Sequence, residues 1–383
     1  MRFERLEERV PPSGLLDVLS PALLALPLGD ASDAGAALQS ATALIAPSGR
    51  GQKPPKSPPN SNAVSGEAFG VFADLTTLLG LHVALAKTPH VVLPASGGFE
   101  SATLLTVQAP ANGSVLDSGT LHVMTSGAIG PNVASAQSSA TVEDLDLLNG
   151  LVSAELIVAM SSSTGNGQSA SSNAAGSTII DLSVNGLSLG DITPAPNTTI
   201  PIPGVGSVIL NEQIAGGNGT TTTSLTVNMI HVALDGLLGK GDIIVSSAHS
   251  DVNFTPAAKS GPLFMTGGGR LGEGRDIATF GFNAGARNNG AVQGQLEYID
   301  HAADLNVHST AINSFSVDGT CVTFSGTARV NGASGYTFTV TEACDNGEPG
   351  VGHDTFAIAV NGPGVSYARE GTLTGGNLQL HPA

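Results

Sequence analysis

Four side chains that carry oxygen ligands lie in one short loop near the end of the chain: Asp345, Asn346, Glu348 and Asp354. Hard cations such as calcium take several oxygen ligands from a loop whose glycines allow sharp turns. The loop lacks the residue spacing of an EF-hand. One interpretation is a structural calcium ion held by these four residues. The sequence favours the other, a wide hairpin loop in which Asp345 or Asn346 forms an Asx turn and the three loop glycines take positive φ.

Cys321 and Cys344 are the two cysteines of the chain, and neither has a histidine or another cysteine at the spacing of a zinc site. The simplest account is a disulfide, which implies an oxidising compartment. The alternating runs 322–324 and 337–340 predict that this disulfide closes a β-hairpin.

The register of that hairpin requires an irregularity. A two-residue turn at Gly332-Ala333 sets the cysteines opposite each other, but it also sets Phe324 against Thr341 and so mixes the apolar and polar faces. A β-bulge restores the alternation. We expect it at Gly326 or Gly335, because glycine accepts the left-handed conformation that one type of bulge needs.

The sequence contains none of the common catalytic signatures: a Gly-x-Ser-x-Gly elbow, His-Glu-x-x-His, a phosphate loop or a dinucleotide-binding fingerprint. Four residues around the segment YIDHAADLNVHS could form a His/Asp site: Asp300, His301, Asp304 and His308. The runs LEYID and LNVHS alternate cleanly, however, which favours two adjacent strands with polar faces.

Other candidates for catalysis are also weak. Glu143, Asp144 and Asp146 are close enough in sequence for the paired carboxylates of a glycosidase, but we expect them to lie in solvent at a strand edge. Histidines inside strand-like runs, such as His122, are expected to be satisfied structural residues. Because Trp is absent and Tyr occurs three times, few rings could stack on a sugar. We predict that the protein is not an enzyme.

Short β-branched or apolar runs recur about every ten residues with turn residues between them, a pattern typical of sandwiches and barrels. Leu225, Val227 and Met229 alternate with polar residues, and Asn185-Gly186 predicts a tight hairpin turn. Charged residues make up 12% of the chain, and Gly (50) and Pro (22) are frequent, which argues against a helical bundle. We therefore predict an all-β fold with two antiparallel sandwich or barrel-like domains after a disordered N-terminal segment, and with hydroxyl-rich solvent faces.

Three segments between or within these runs receive specific assignments. The serine-rich stretch 161–177 is predicted to be a long surface loop, and 215–224 is predicted to be a hairpin tip. The segment 145–160 has leucines at helical offsets, but its Asn-Gly break and β-branched end favour strand over a short helix.

The formal net charge is −17. Residues 1–66 carry six basic and six acidic side chains, which cancel, so the acidic excess lies entirely in 67–383. We therefore do not expect a nucleic-acid partner bound through phosphates. No apolar run reaches the length of about 18 residues that a membrane span needs, so we expect none.

The chain divides into four segments by composition. Residues 1–28 are targeting-like, 29–66 form a Pro/Gly/Ser-rich linker, and 67–256 and 264–383 are the two β domains. The Pro- and Gly-containing stretch between the two domains is expected to be crossed by few contacts.

Sequence resemblance adds a biological setting. The segment RFERLEERVPPS resembles the LEPR-type opening of large secreted bacterial proteins. The runs AFGVFADL, GSTIIDLSVNGLSLG and GDIIVSSAHSDV resemble the choice-of-anchor P family of bacterial surface proteins. The runs TGGGRLGEGRDIATFGFNAG and CVTFSGTARVNGASGYTFTVTEACDNGEPGVGHDTFAIAV resemble the post-COAP domain that follows that family. The resemblance implies extracellular β modules with no established activity, and because NLQLHPA contains no sortase motif, a covalent C-terminal anchor is not expected.

These observations predict a non-enzymatic, secreted bacterial surface or extracellular-matrix protein, located outside the cell or on its surface. It would act by association of its β domains or by adhesion, with other copies of itself, an extracellular protein or a glycan as partner. The alternative is a carbohydrate-binding module or an accessory domain of an extracellular enzyme system. Apart from the alternative of a structural calcium ion in the 345–354 loop, no cofactor is predicted.

Overall fold

The computed structural model describes residues 62–255, 263–287 and 290–381, and the regular elements in them are β-strands that pair antiparallel throughout. The predicted all-β class is confirmed. In the described ranges no helix is long and apolar enough to cross a membrane. The targeting-like segment 1–28 and most of the predicted linker lie outside the described residues.

Residues 63–253 form fifteen strands. In chain order these are β1 (Ala63–Thr76), β2 (His82–Val92), β3 (Gly97–Leu104), β4 (Val107–Ala109), β5 (Leu116–Ser118), β6 (Leu121–Ile129), β7 (Ala134–Leu147), β8 (Val152–Gly165), β9 (Ala170–Asn173), β10 (Thr178–Val184), β11 (Leu187–Ile192), β12 (Thr198–Ile202), β13 (Gly206–Gly217), β14 (Thr222–Gly236) and β15 (Gly239–Asn253). Together they make two sheets, which we call the N-terminal sandwich.

Residues 263–381 form a further nine strands. They are β16 (Leu263–Leu271), β17 (Ala278–Ala286), β18 (Val292–Asp300), β19 (Leu305–Asp318), β20 (Cys321–Val330), β21 (Ala333–Cys344), β22 (Thr355–Gly362), β23 (Val365–Thr372) and β24 (Gly375–His381). We call this single sheet the C-terminal sheet.

The N-terminal sandwich has an outer sheet with the strand order β12-β13-β14-β15-β1-β2 and a middle sheet built around β6, β7, β8 and β10. One continuous apolar core fills the space between them. Strand β1 begins at Ala63 and pairs with β15 along its length, so the four residues 63–66 belong to the sheet and not to the predicted linker. Val64 is fully buried, which ties the start of this strand to the core.

The C-terminal sheet runs in the order β23-β22-β21-β20-β19-β18-β17-β16-β24. Its concave side is filled by buried aromatic rings, including Phe280, Phe282, Phe324 and Phe356. The rings of Phe280 and Phe356 stack with centroids 3.9 Å apart. Five buried phenylalanines from four strands therefore supply the core that an isolated sheet would lack.

The middle sheet is buried on both faces, because the outer sheet covers one and the C-terminal sheet covers the other. Leu156, Val158, Met160 and Ile180 of the middle sheet pack around Ile277. A second cluster joins the two units through Phe99, Met124 and Ile299. The expectation that few contacts would link the two units is wrong, since apolar side chains are buried between them.

This double burial explains why the assignment of 161–177 as a surface loop is wrong at its start. Strand β8 continues to Gly165, and Ser161 and Ser163 are fully buried. Both hydroxyls lie 2.7 Å from the hydroxyl of Ser250 in the outer sheet. Small hydroxyl side chains can fill a narrow layer and satisfy one another there, so low hydropathy does not place a residue in solvent.

The predicted hairpin turn at Asn185-Gly186 and the predicted strands in 145–160 are confirmed. Asn185 and Gly186 have φ of 51° and 74°, as a two-residue type I′ turn requires, and they join β10 to β11. The segment 145–160 is strand on both sides of a turn, and 215–224 is the tip between β13 and β14.

The predicted disulfide joins Cys321 to Cys344, which lie opposite each other in β20 and β21. The turn is Asn331-Gly332 instead of Gly332-Ala333, so two bulges are needed to bring the cysteines into register. One is at Gly335, as predicted, with φ of 102°. The other, on β21 at 341–342, sets Phe324 opposite Val340, and Gly326 pairs regularly with β21.

Candidate functional site

The candidate calcium loop connects β21 to β22 and lies against β24. Asp354 is fully buried, and its two carboxylate oxygens accept hydrogen bonds from the backbone N–H groups of Asn346 and Leu378, both at 2.8 Å. Asp345 accepts from the backbone N–H of Leu380 at 2.9 Å, and Glu348 accepts from Asn377 at 3.1 Å. The carboxylates therefore fasten the last strand of the sheet.

Burial raises the pKa of Asp354 to about 6. The hydrogen bonds that its carboxylate accepts have the smaller, opposite effect of lowering this pKa. The pKa of Glu348 is raised to about 7 by desolvation of its carboxyl and by the charges of Asp345 and Asp354. Glu348 is exposed and Asp354 is fully buried, so solvent screens the charge of Glu348 more than that of Asp354. A divalent cation would relieve this repulsion, but among the described residues no group of three or more His, Cys, Asp or Glu side chains is arranged to hold a metal. Of the three loop glycines, Gly352 alone takes positive φ, at 80°.

The four residues considered for a His/Asp site do not come together. Asp300 and His301 are neighbours in sequence and take different partners, because successive residues at a strand end point to opposite faces. Asp300 accepts hydrogen bonds from Tyr367 at 2.5 Å and Arg369 at 2.7 Å. Strands β18 and β19 are adjacent, which confirms the alternative interpretation of two strands with polar faces.

His301 instead reaches the N-terminal sandwich. Its Nδ1 lies 2.8 Å from Oε1 of Glu143, and its Nε2 lies 3.2 Å from the hydroxyl of Thr279. The expectation that Glu143 lies in solvent at a strand edge is therefore wrong. His122 packs edge-on against His301, with ring centroids 6.3 Å apart, and burial lowers the pKa of His122 to about 4.

A carboxylate, an imidazole and a hydroxyl in this order could activate a nucleophile. Thr279 is fully buried between the two units, however, so its hydroxyl is closed to a substrate. We interpret Glu143, His301 and Thr279 as a structural hydrogen-bonded chain.

Another candidate is a groove of about 350 Å³ on the C-terminal sheet, where β19, β20 and β21 lie side by side. Its polar and aromatic lining consists of Thr310, Thr327, Arg329, Ser334, Tyr336 and Thr337. The bulge at Gly335 lies between Ser334 and Tyr336 and shifts the register of β20 and β21. The groove is at the small end of the range for ligand sites.

The groove offers two kinds of contact, hydroxyls and a guanidinium. Thr310 and Thr327 lie 2.8 Å apart and can offer donors and acceptors from their hydroxyls. Tyr336 is opposite the buried Ala328, and its half-buried ring packs beside Gly362 against the core of the sheet, on the other face from Thr327. Its hydroxyl donates to the carbonyl of Pro363 at 3.2 Å, so the ring is held in place.

Hydroxyl pairs continue from the groove along the same face. Ser314 lies 2.6 Å from Ser325, and Ser316 lies 2.5 Å from Thr323. On β21 the exposed positions are again threonines: Thr337, Thr339 and Thr341. We call this set of side chains the hydroxyl strip; it confirms the predicted hydroxyl-rich solvent face.

Sequence reasoning singled out neither the groove nor Arg329. The signal for the strip was present, since serine or threonine occupies every second position of 323–327 and of 337–341. The groove itself arises from a bulge whose place depends on the pairing of two strands.

Comparisons with known proteins give little further information. No family model and no curated protein matches the chain. Two solved structures are similar to it over most of its length. Kievitone hydratase from Nectria haematococca is 9% identical with a TM-score of 0.21, and the match covers 85% of this chain and 91% of that one. A protein described as AttH from Nitrosomonas europaea is 8% identical with a TM-score of 0.21, and the match covers 88% of this chain and all of that one. At this TM-score neither likeness supports a statement about fold or function.

Proposed function

We propose that this is a non-enzymatic extracellular surface protein that adheres to a carbohydrate through the groove between β19, β20 and β21. The observation that carries the proposal is the lining of that groove. It brings together four hydroxyls and one guanidinium, which can exchange hydrogen bonds with the hydroxyls of a sugar.

The extracellular setting is supported by two features. The Cys321–Cys344 disulfide fits an oxidising compartment. The acidic, lysine-poor surface keeps a secreted protein soluble by repulsion. The sequence resemblance to surface-protein domains agrees with this setting. The non-enzymatic character is supported by the burial of Thr279, which closes the one triad-like arrangement that we identified among the described residues.

A glycan array tests the proposal. We expect the full chain to bind a restricted set of glycans, and we expect Thr310→Val and Thr327→Val to weaken that binding while leaving the melting temperature within a few degrees of the parent protein. Thr220→Val, at an exposed hairpin tip of the N-terminal sandwich, is the matched control and should bind like the parent protein.

Two results would contradict the proposal. One is a folded protein that binds no glycan on the array. The other is selective binding that survives both groove substitutions, since the sugar would then be bound elsewhere on the molecule.

A further inference from the structure

We infer that the groove selects an acidic polysaccharide, with the guanidinium of Arg329 binding a sugar carboxylate and the hydroxyl strip binding neighbouring sugar units. This inference rests on the proposed glycan-binding function and names the class of glycan.

Arg329 is the first reason. It is exposed and lies in the groove, and within the described residues it makes no ion pair or hydrogen bond. The six other cationic side chains among the described residues each have a partner. Four are paired with carboxylates and two donate hydrogen bonds to neutral groups: Lys87 with Glu67, Lys240 with Asp235, Arg275 with Glu155, Arg369 with Asp300, Arg270 with Thr374, and Arg287 with Gln293.

The charge balance makes this unpaired arginine informative. Residues 264–383 contain eleven Asp or Glu and five Arg. Arg329 is the one arginine of the described residues in this domain that has neither a carboxylate nor a neutral hydrogen-bond acceptor, and the groove around it is lined by no carboxylate. An unpaired guanidinium facing a groove retains its capacity for a two-pronged bond to a carboxylate.

His308 lies next to Arg329 and is paired with the buried carboxylate of Glu297. It is directly opposite Arg329 in the pairing of β19 with β20. Its hydrogen bond with the buried Glu297 raises the pKa of His308, and its ring is about half exposed. Glu297 is engaged by this bond and by Ser101, so it does not compete for Arg329.

The hydroxyl strip is the second reason, and it indicates a polymer. Along β20 the exposed residues Thr323, Ser325 and Thr327 follow one another at about 7 Å per pair of residues, and they end at the groove. A monosaccharide would occupy the groove alone. A chain could place its carboxylate on Arg329 and lie along the strip, where each hydroxyl can donate and accept.

The net charge of −17 does not prevent such binding. Surface charges separated by more than about 8 Å are largely screened at physiological ionic strength. The ion pair with Arg329 is shorter than this distance, while the repulsion from the remainder of the surface acts over longer distances.

The test compares uronic-acid polymers with their own methyl esters, which keep the sugar backbone and remove the carboxylate charge. Binding of polygalacturonate and alginate, each in both forms, is measured by calorimetry with the full chain. We expect the free acid of at least one polymer to bind about tenfold more tightly than its ester. Arg329→Gln should abolish this preference, and Arg329→Lys should retain part of it.

Arg287→Gln is the control, because Arg287 is an exposed arginine elsewhere in the same sheet. It should leave the affinities unchanged. Equal affinity for acid and ester, or a preference that Arg329→Gln leaves intact, would overturn the acidic specificity while glycan binding itself stands. A preference lost equally in Arg287→Gln, or a stronger response to dextran sulfate than to any uronate, would also overturn it. Absence of binding to every glycan, on the array and in solution, would overturn the proposed function instead.

Discussion

The Nδ1 atom of His301 in the C-terminal sheet lies 2.8 Å from the carboxylate of Glu143 in the N-terminal sandwich. The side chain of His301 is almost completely buried, and its Nε2 atom faces the hydroxyl of Thr279, so both ring nitrogens have a hydrogen-bond partner. The pair fixes the orientation of the two units.

Loss of this pair should weaken the contact between the units. We expect His301→Ala to lower the free energy of unfolding by about 1–3 kcal/mol, because it leaves the buried hydroxyl of Thr279 and part of the Glu143 carboxylate without a partner. Urea unfolding at neutral pH measures the change. Asp235→Asn, which removes the exposed pair with Lys240, should cost about 1 kcal/mol at most. Equal costs for the two variants would contradict this role of His301.

Acid should destabilise the same contact through two buried histidines. Burial lowers the pKa of His122 to about 4 and that of His381 to about 3, from an ordinary value of 6.5. The unfolded chain then binds protons more readily, so their contribution to stability is complete above pH 6.5 and declines as the pH falls from 6.5 towards 4.

His381 offers the cleaner variant, because its ring stacks on Phe264 with centroids 4.4 Å apart. His381→Phe should preserve the stacking and lose the bonds to Thr266 and Ser135. We expect it to be less stable than the parent at neutral pH but to lose less stability on acidification. Parallel pH profiles of the urea midpoint in the two proteins would count against the assignment.

The carboxylates of the 345–354 loop should respond to pH in the opposite direction. The pKa of Asp354 is raised from 3.8 to about 6 and that of Glu348 from 4.5 to about 7. The folded protein binds these protons more tightly, so their contribution is greatest below about pH 4 and is lost as the pH rises to about 7. Glu348→Gln keeps an acceptor for Asn377 without the charge, and we expect it to be more stable than the parent at about pH 8 and equal to it at about pH 4. A stability difference that is the same at both pH values would contradict this.

The candidate calcium ion at Asp345, Asn346, Glu348 and Asp354 can be tested with the same variant. If the ion binds, chelation should lower the melting temperature of the parent protein at about pH 8, and Glu348→Gln should remove that sensitivity. Asp354→Ala is unsuitable, because its carboxylate caps two buried backbone N–H groups and its loss would disturb the fold. Identical melting with and without chelator would leave the loop as a purely hydrogen-bonded structure.

Removal of the Cys321–Cys344 bridge should cost about 3 kcal/mol, mainly because the unfolded chain regains freedom. The double variant Cys321→Ser, Cys344→Ser should still fold, since β20 and β21 remain paired along their length. Reduction of the parent protein should reproduce the urea midpoint of the double variant. Rapid alkylation of both thiols in the native, unreduced protein would show that the bridge is not formed.

Strands were predicted correctly where apolar and polar residues alternate in a half-buried sheet, as in 225–229. The hairpin turn at Asn185-Gly186 was also predicted correctly. Strand prediction failed at Ser161 and Ser163, because their hydroxyls bond to Ser250 in the outer sheet and a run of serines does not indicate this packing. A small hydroxyl residue suits both solvent and a tight buried layer, so single-sequence patterns cannot separate the two cases.

The same limit applies to the candidate sites. The disulfide was predictable because the chain has two cysteines, and the bulge at Gly335 was one of two expected positions, although the turn lies one residue earlier than expected. The pairing of Glu143 with His301 joins residues from two separate units, and the groove at Arg329 depends on how two bulged strands align. These relationships arise only once distant segments have packed.

The double burial of the middle sheet has a consequence for biosynthesis. The N-terminal sandwich has all its strands once β15 has left the ribosome or translocon. The side chains of Val158 and Met160 remain exposed to solvent until the C-terminal sheet has been synthesised and covers them. Strand β24, which brings His381 against Ser135, is translated last. A nascent chain of this protein therefore carries an adhesive apolar surface for the time that its final third takes to emerge. We expect a ribosome-bound or exported intermediate that ends near residue 260 to need a holding chaperone, although the finished molecule does not.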